Sequence, residues 1–298
     1  DGGRTCMTSL IANGIQLEFE ESGRADDPAI VMVRGLGTQL IDWPASLLSG
    51  LVSAGFRVIV FDNRDVGLSQ KFLGLPNIGN VAKKTETAPY TIHDMADDII
   101  GLMDGLGIDR AHLFGISMGG MIGQVLAASH GGRVSSLFSV MSSSSRQGLP
   151  AATAEAALAL VAENDPEAGD EGVIAATAEG LRVFGSPGYP LTETERVQIA
   201  RKRHKRDYTP DGVVRQMAAI VAGGNRIALL ESIKVPTMVI HGAEDPLIPL
   251  AAGKDTADTI PGARLEVIQG MGHDLPEGLV SVFIGLVKQF TESLEQSL

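Results

Sequence analysis

Five residues, Gly115-Ile116-Ser117-Met118-Gly119, constrain this chain more than any other stretch. They lie between the apolar run Ala111-His112-Leu113-Phe114 and the small-residue segment Gly120-Met121-Ile122-Gly123-Gln124-Val125-Leu126. That context reads strand, sharp turn, helix, the setting in which a G-x-S-x-G match acquires meaning. A serine at such a turn is held in a cramped backbone conformation, so its neighbours must lack bulk, and Gly115 and Gly119 supply the room. The turn exposes the Ser117 hydroxyl at the C-terminal edge of a sheet. A helix N-terminus beside it offers unpaired N–H groups to a developing negative charge.

The flanking pattern repeats along the chain. Leu10-Ile11-Ala12-Asn13-Gly14-Ile15-Gln16-Leu17 carries Asn-Gly between two apolar runs, a hairpin signal. Buried-strand runs follow at Ala29-Ile30-Val31-Met32-Val33, which ends in Arg34-Gly35-Leu36-Gly37, and at Phe56-Arg57-Val58-Ile59-Val60-Phe61. A helix is expected around residues 44–54, a polar turn at 62–69 and a loop from there to Pro89. Thr91 then caps a helix, with Asp94 completing a variant capping box. Strands alternating with helices and ending in Gly-rich loops indicate a mostly parallel sheet covered on both faces.

The alternation breaks at Ser142-Ser143-Ser144-Ser145 and resumes at Val235-Pro236-Thr237-Met238-Val239-Ile240. Between them the chain is helical and Ala-rich, which divides it into a core of residues 1–145 and 233–298 and an inserted helical lid, 146–232. A strand at residues 264–268 and an amphipathic helix over 279–293 complete the core.

Composition limits the function classes. The chain has 298 residues, 44% hydrophobic and 20% charged, as expected of a folded soluble protein. A formal charge of −12 argues against nucleic acid as a partner. The basic run Arg201-Lys202-Arg203-His204-Lys205-Arg206 is read as the solvated face of a helix beginning near Thr192. No apolar run approaches the roughly 18 residues of a membrane span. Cys6, the one cysteine, excludes an internal disulfide or a CxxC site and fits a reducing compartment. The opening Asp1-Gly2-Gly3-Arg4-Thr5 reads as a trimmed end, which hides any targeting segment.

A serine hydroxyl needs a base to take its proton, and the base needs a third group to hold it. His273, in the glycine-flanked loop Gly270-Met271-Gly272-His273 past the last strand, is the candidate base. His241 reads as buried, His112 as core or helix interface, and His93, His130 and His204 as helical residues without reach. The loop Gly242-Ala243-Glu244-Asp245-Pro246 supplies the acid: Asp245 is preferred because Pro246 fixes the turn, with Glu244 facing solvent. Asp274 reads as a surface residue. Two backbone donors are required for the oxyanion: the N–H of Met118 and that of Leu36, with Gly37 as the alternative to Leu36. Nothing calls for a metal, since HExxH and cysteine clusters are absent.

Together the three loops resemble the motifs of the α/β-hydrolase fold over nearly the whole chain. The stretches Phe61-Asp62-Asn63-Arg64-Asp65-Val66-Gly67-Leu68-Ser69 and Met271-Gly272-His273-Asp274-Leu275-Pro276 are similar to bacterial esterases of the aclacinomycin methylesterase type. The resemblance implies a serine esterase that cleaves small to medium carboxylic esters through an acyl-enzyme. It also implies no cofactor, a small-molecule ester as partner and a cytoplasmic location; the oligomeric state is open, a homodimer included. One departure is Arg34-Gly35, where the family usually has His-Gly. Arg34 is expected to pair with Asp62 or Asp65, or to sit near the oxyanion site.

Rival readings explain less. A dinucleotide site at Gly35-Leu36-Gly37-Thr38-Gln39-Leu40 with Asp62 as the ribose acid lacks a small residue at position 40 and leaves Ser117, Asp245 and His273 unexplained. Thioesterase, lactonase, C–C hydrolase, aminopeptidase, perhydrolase and hydroxynitrile lyase activities remain open to a serine nucleophile, as does a non-catalytic binding role. A histidine base predicts a turnover rate that falls as the pH drops below about 6 to 7. A rate flat from pH 5 to 8 in a pH-stat assay would argue against it.

Overall fold

The computed structural model describes residues 8–160 and 169–296; Cys6 and the opening five residues lie outside the described part. Eight strands form one sheet in the order β1-β2-β4-β3-β5-β6-β7-β8. They are β1 (Thr8–Ala12), β2 (Ile15–Ser22), β3 (Ala29–Val33), β4 (Arg57–Phe61), β5 (Ala111–Ile116), β6 (Val134–Val140), β7 (Thr237–Gly242) and β8 (Arg264–Ile268). β2 runs antiparallel to β1 and β4, and β3 to β8 are mutually parallel. The β1–β2 hairpin closes at Asn13 (φ 50°) and Gly14 (φ 78°), two left-handed residues in succession, as an Asn-Gly turn requires.

Strand periodicity splits the core in two. Val31, Val33 and Leu113 face one side, against α3 (Ile92–Gly105) and α4 (Met118–Ser129). Ile30, Met32, Phe114 and Ile116 face the other, against α1 (Ala45–Ser53) and α11 (Val280–Glu295). β3 is buried along its whole length, as a central strand covered on both faces must be. The capping box of α3 is formed: Thr91 N–H donates to Asp94 Oδ2 at 2.7 Å, and Asp94 N–H donates to Thr91 Oγ1 at 3.2 Å. Within the expected loop to Pro89 lies a short helix, α2 (Ile78–Ala82), whose cap is Asn77 accepting from Asn80 N–H at 3.0 Å.

Between β6 and β7 the described chain is helical: α5 (Ala154–Leu160), α6 (Gly169–Phe184), α7 (Glu193–Arg206), α8 (Pro210–Gly223) and α9 (Ile227–Glu231). α10 (Leu250–Thr259) follows β7. α7 starts at Thr192, through a reciprocal capping box with Glu195. Its basic run is only in part the solvated face expected from the sequence: Arg201, Lys202 and Lys205 are exposed, whereas Arg203 and Arg206 turn inward. Arg203 Nε lies 2.6 Å from Asp42 Oδ1, and Arg206 Nη1 lies 2.7 Å from Asp62 Oδ2, both carboxylates being buried in the core loops. Lys202 Nζ donates to Ile41 O at 3.3 Å, while Arg201 pairs with Glu171 inside the insertion. The physical reason is simple: two core carboxylates that are out of water need cations, and the nearest ones are carried by α7.

α8 is fastened the same way. Arg215 makes a bidentate pair with Asp65, Nε to Oδ2 at 2.9 Å and Nη2 to Oδ1 at 2.8 Å, and its Nη1 donates to Gly74 O at 2.8 Å. Their side chains are 3% and 0% exposed, so neither charge is solvated if the other is removed. Arg215→Met should therefore cost about 3–5 kcal/mol in urea unfolding. A loss below about 1 kcal/mol would mean the pair is not a fastening.

Candidate active site

Ser117 occupies the turn between β5 and α4 with φ 54° and ψ −119°, a conformation costly for a residue with a Cβ. Its surroundings hold it there. Ser117 N–H donates to Val140 O at 2.9 Å, and Ser142 Oγ donates to Ser117 O at 2.8 Å. The turn is possible because Gly115 and Gly119 have no side chain. A Cβ on Gly115 would strike the backbone of Gly119, and one on Gly119 would strike the carbonyl of Val33 at the end of β3.

His273 and Asp245 arrive from the loops after β8 and β7. His273 Nε2 lies 3.0 Å from Ser117 Oγ, and His273 Nδ1 lies 2.7 Å from Asp245 Oδ2. The three side chains singled out from the sequence are thus brought into one hydrogen-bonded row, with the imidazole in the middle. Asp245 is buried, and its other oxygen accepts the N–H groups of Leu247 (2.9 Å) and Ile248 (2.8 Å), which fixes the carboxylate plane. Glu244 is exposed, and its Oε2 accepts the N–H of Gly270 at 2.7 Å, tying the acid loop to the histidine loop.

Of the other histidines, His241 is fully buried beside this row: its Nε2 lies 3.6 Å from Asp245 Oδ2 and meets Ile248 O at 2.7 Å, and burial pushes its pKa down against the pull of that carbonyl and of Asp245. His112 pairs through Nδ1 with Ser136 Oγ at 2.8 Å in the sheet interior, where burial lowers its pKa to about 4.

The loop after β3 crosses directly over the serine. A Cβ on Gly35 would lie 3.1 Å from Ser117 Cβ and 3.6 Å from Ser117 Oγ. Gly37 N–H donates to Gln216 Oε1 at 2.8 Å, so of the two donors considered for this loop it is already occupied. The N–H groups of Leu36 and Met118 have no acceptor among the described residues. Of the two placements expected for Arg34, the pairing with Asp62 or Asp65 is not formed, because those carboxylates take Arg206 and Arg215. Its Nε donates to Thr38 Oγ1 at 3.2 Å and its Nη1 to Asp42 O at 3.3 Å, with the guanidinium 4.7 Å from the Trp43 ring centroid. Burial lowers its pKa to about 10, with the Asp42 carboxylate opposing, so the group remains a cation at neutral pH.

Asp274 is not the surface residue expected. It is largely enclosed, and its Oδ1 accepts from the Ser186 hydroxyl, which comes from the segment after α6. Ser186 Oγ also accepts Gly272 N–H at 2.9 Å, and His273 N–H donates to Phe184 O at 2.7 Å. The histidine loop is therefore strapped to the end of α6 and the segment after it on both sides of His273. Sequence position hid these partners, because Ser186 and Asp274 are 88 residues apart.

Burial pushes the Asp274 carboxyl up to about 6, against the pull of the Ser186 hydroxyl and His273. A raised acid pKa favours the fold fully below the unfolded value near 4, and that contribution is lost as the pH rises through about 6. Relative to Asp274→Asn, the wild type should lose about 1–3 kcal/mol of stability between pH 4 and 7.5, read from urea midpoints at a series of pH values. A gap that does not change with pH would rule out a buried, late-ionising carboxyl.

No helix among the described residues is long and apolar enough to cross a membrane. The family described as alpha/beta hydrolase fold matches residues 28–184, more than half the chain. A protein named "Putative carbamate hydrolase RutD" from Caulobacter sp. (strain K31) is 28% identical over 285 residues, covering 95% of this chain and 98% of its own. The rhodomycin D methylesterase DnrP of Streptomyces peucetius is 26% identical over 289 residues, covering 90% of this chain and 93% of its own. The crystal structure of the enol-lactonase from Burkholderia xenovorans LB400 aligns with a TM-score of 0.74 at 27% identity, over 95% of this chain and 99% of that one. Sheet order, serine turn and family match agree, and the chain belongs to the alpha/beta hydrolase fold family.

Proposed function

We propose that this protein hydrolyses carboxylic esters of small molecules through an acyl-enzyme on Ser117. The observation that carries the reading is the His273 ring, 3.0 Å from the Ser117 hydroxyl and 2.7 Å from the Asp245 carboxylate. In this reading Ser117 Oγ bonds to the ester carbonyl carbon as its proton passes to His273 Nε2. The carbonyl oxygen becomes an oxyanion held by the N–H groups of Leu36 and Met118. Collapse of the tetrahedral species breaks the bond to the alkoxy oxygen, which takes the proton from His273 and leaves as alcohol. Water then gives a proton to the same nitrogen, attacks the acyl carbon and releases the acid, with the proton returning to Ser117 Oγ. Asp245 keeps the imidazole oriented and stabilises its cationic form throughout.

The helical segment 146–232 acts as the lid in this reading, lying over the strand ends and shaping the acyl or alcohol pocket. Ester cleavage is favoured by the resemblance to a methylesterase over most of both chains. The relatives also include an enol-lactonase and a protein named for carbamate hydrolysis. All three chemistries break a bond between a carbonyl carbon and a heteroatom, which the same row of side chains can serve.

The test is hydrolysis of p-nitrophenyl acetate and butyrate, alongside a δ-lactone and an alkyl carbamate. Ester turnover is expected, with Ser117→Ala falling by at least about 10³-fold and Asp245→Asn by on the order of 10³–10⁴-fold. Turnover that survives Ser117→Ala would sink the mechanism. Turnover of the lactone or carbamate alone would move the substrate class while keeping the site.

A further inference from the structure

Gln216 is a fully buried amide on α8, outside the catalytic row, and both ends of its side chain engage the backbone of core loops. Its Oε1 accepts Gly37 N–H at 2.8 Å, and its Nε2 donates to Arg64 O at 2.8 Å. The first contact reaches the loop after β3, next to the Leu36 N–H; the second reaches the loop after β4. One carboxamide thereby ties the two loops together from a helix 150 or more residues away in sequence.

The helix is in turn registered on those loops. Arg215 holds Asp65, and Gly212 comes so close to the Asp65 carbonyl that a Cβ there could not be accommodated. Val213, on the same face as Gln216, lies where a Cβ on Gly37 would be 3.0 Å from its Cγ2. Asn63 adds a second tie, its Nδ2 donating to Arg34 O at 3.1 Å. The β3 loop is thus held from the helix and from the neighbouring loop. At its other side Gly35 rests on Ser117 itself.

We propose that Gln216 is a positioning residue for the oxyanion pocket. It occupies the Gly37 N–H and fixes the turn, so that the preceding N–H, that of Leu36, stays aimed at the space beside Ser117 Oγ. The inference rests on the serine-hydrolase reading above. Its energetic effect appears when negative charge develops on the carbonyl oxygen, because only then is the donor's placement worth more than in the ground state.

Gln216→Met keeps the volume and removes both hydrogen bonds. Displacement of a donor by about 1 Å costs on the order of 10²-fold, so the expected result is a kcat lower by roughly 10- to 100-fold with KM within about twofold. Affinity for phenylboronic acid, whose Ser117 adduct carries a tetrahedral anionic boron, should fall in parallel. A purely structural role would lower the unfolding midpoint and leave kcat, KM and boronate affinity of the folded fraction unchanged, and that outcome overturns the proposal. A rise in KM at constant kcat overturns it too. In case the variant does not fold, amide hydrogen exchange at Gly37 of the wild type gives an independent reading: slow exchange is expected, and exchange at the rate of an open loop defeats the proposal. Wild-type turnover lost in Ser117→Ala but undiminished in Gln216→Met would remove this inference and leave the serine mechanism standing. Wild-type turnover that persists in Ser117→Ala would remove the mechanism itself.

Discussion

The backbone of Ser117, at φ 54° and ψ −119°, is the constraint on which the rest of this site depends. A non-glycine residue in such a conformation costs of the order of 1–3 kcal/mol, and it persists only where its neighbours over-determine it. They do so from two neighbouring strands. β6 accepts the Ser117 N–H at Val140, and Ser142, just past its end, donates its hydroxyl to Ser117 O, while the end of β3 passes so near Gly119 that no side chain fits. The central parallel sheet is therefore more than a platform. Its neighbouring strands are the walls that keep one hydroxyl at the edge where loops from β7 and β8 deliver a carboxylate and an imidazole.

The second dependence is electrostatic and joins the helices between β6 and β7 to the loops of the sheet. Asp42, Asp62 and Asp65 are buried in loops after β3 and β4, and each takes an arginine from α7 or α8: Arg203, Arg206 and Arg215. Burial alone would raise the Asp42 carboxyl, but Arg203 and Arg34 override it and hold the group below its ordinary value. For Asp62 the balance goes the other way, and burial leaves its pKa raised despite Arg206 and the N–H groups of Leu40 and Leu68. Ion pairs this buried add little net stability over apolar contacts of the same volume. Each of the three charges meets a separate partner, which ties α7 to Asp42 and Asp62 and α8 to Asp65.

What could be read from the sequence was what neighbouring residues determine. The Asn13-Gly14 turn, the Thr91 and Thr192 capping boxes and the strand–turn–helix around Ser117 depend on contacts a few residues apart. So does the placement of Asp245 and His273 at strand ends, once β7 and β8 are recognised as strands. The misreadings all involve partners far apart in sequence. Arg203 and Arg206 looked solvated because Asp42 and Asp62 lie 161 and 144 residues away. Asp274 looked exposed because nothing near it announces Ser186. Pairing of Arg34 with Asp62 or Asp65, one of its two expected placements, fails because other arginines take those carboxylates, a competition visible only when all the charges are in place. Gln216 carried no signal at all, since a glutamine inside a helical segment reads as surface until its neighbours are known.

These distant contacts converge on the Ser117–His273–Asp245 row from two sides. Gln216 and Arg215 act on the loops beside the proposed oxyanion donors, and Phe184 and Ser186 act on the loop that carries His273. The helical segment between β6 and β7 therefore touches both halves of the proposed chemistry, the half that stabilises negative charge and the half that moves the proton. The segment that the proposed function reads as a lid thus also braces the His273 and Leu36 loops, through Phe184 and Ser186 on one side and Gln216 on the other. A substitution on α8 or in the segment from Phe184 to Ser186 is therefore felt at the loops that carry Gly37 and His273.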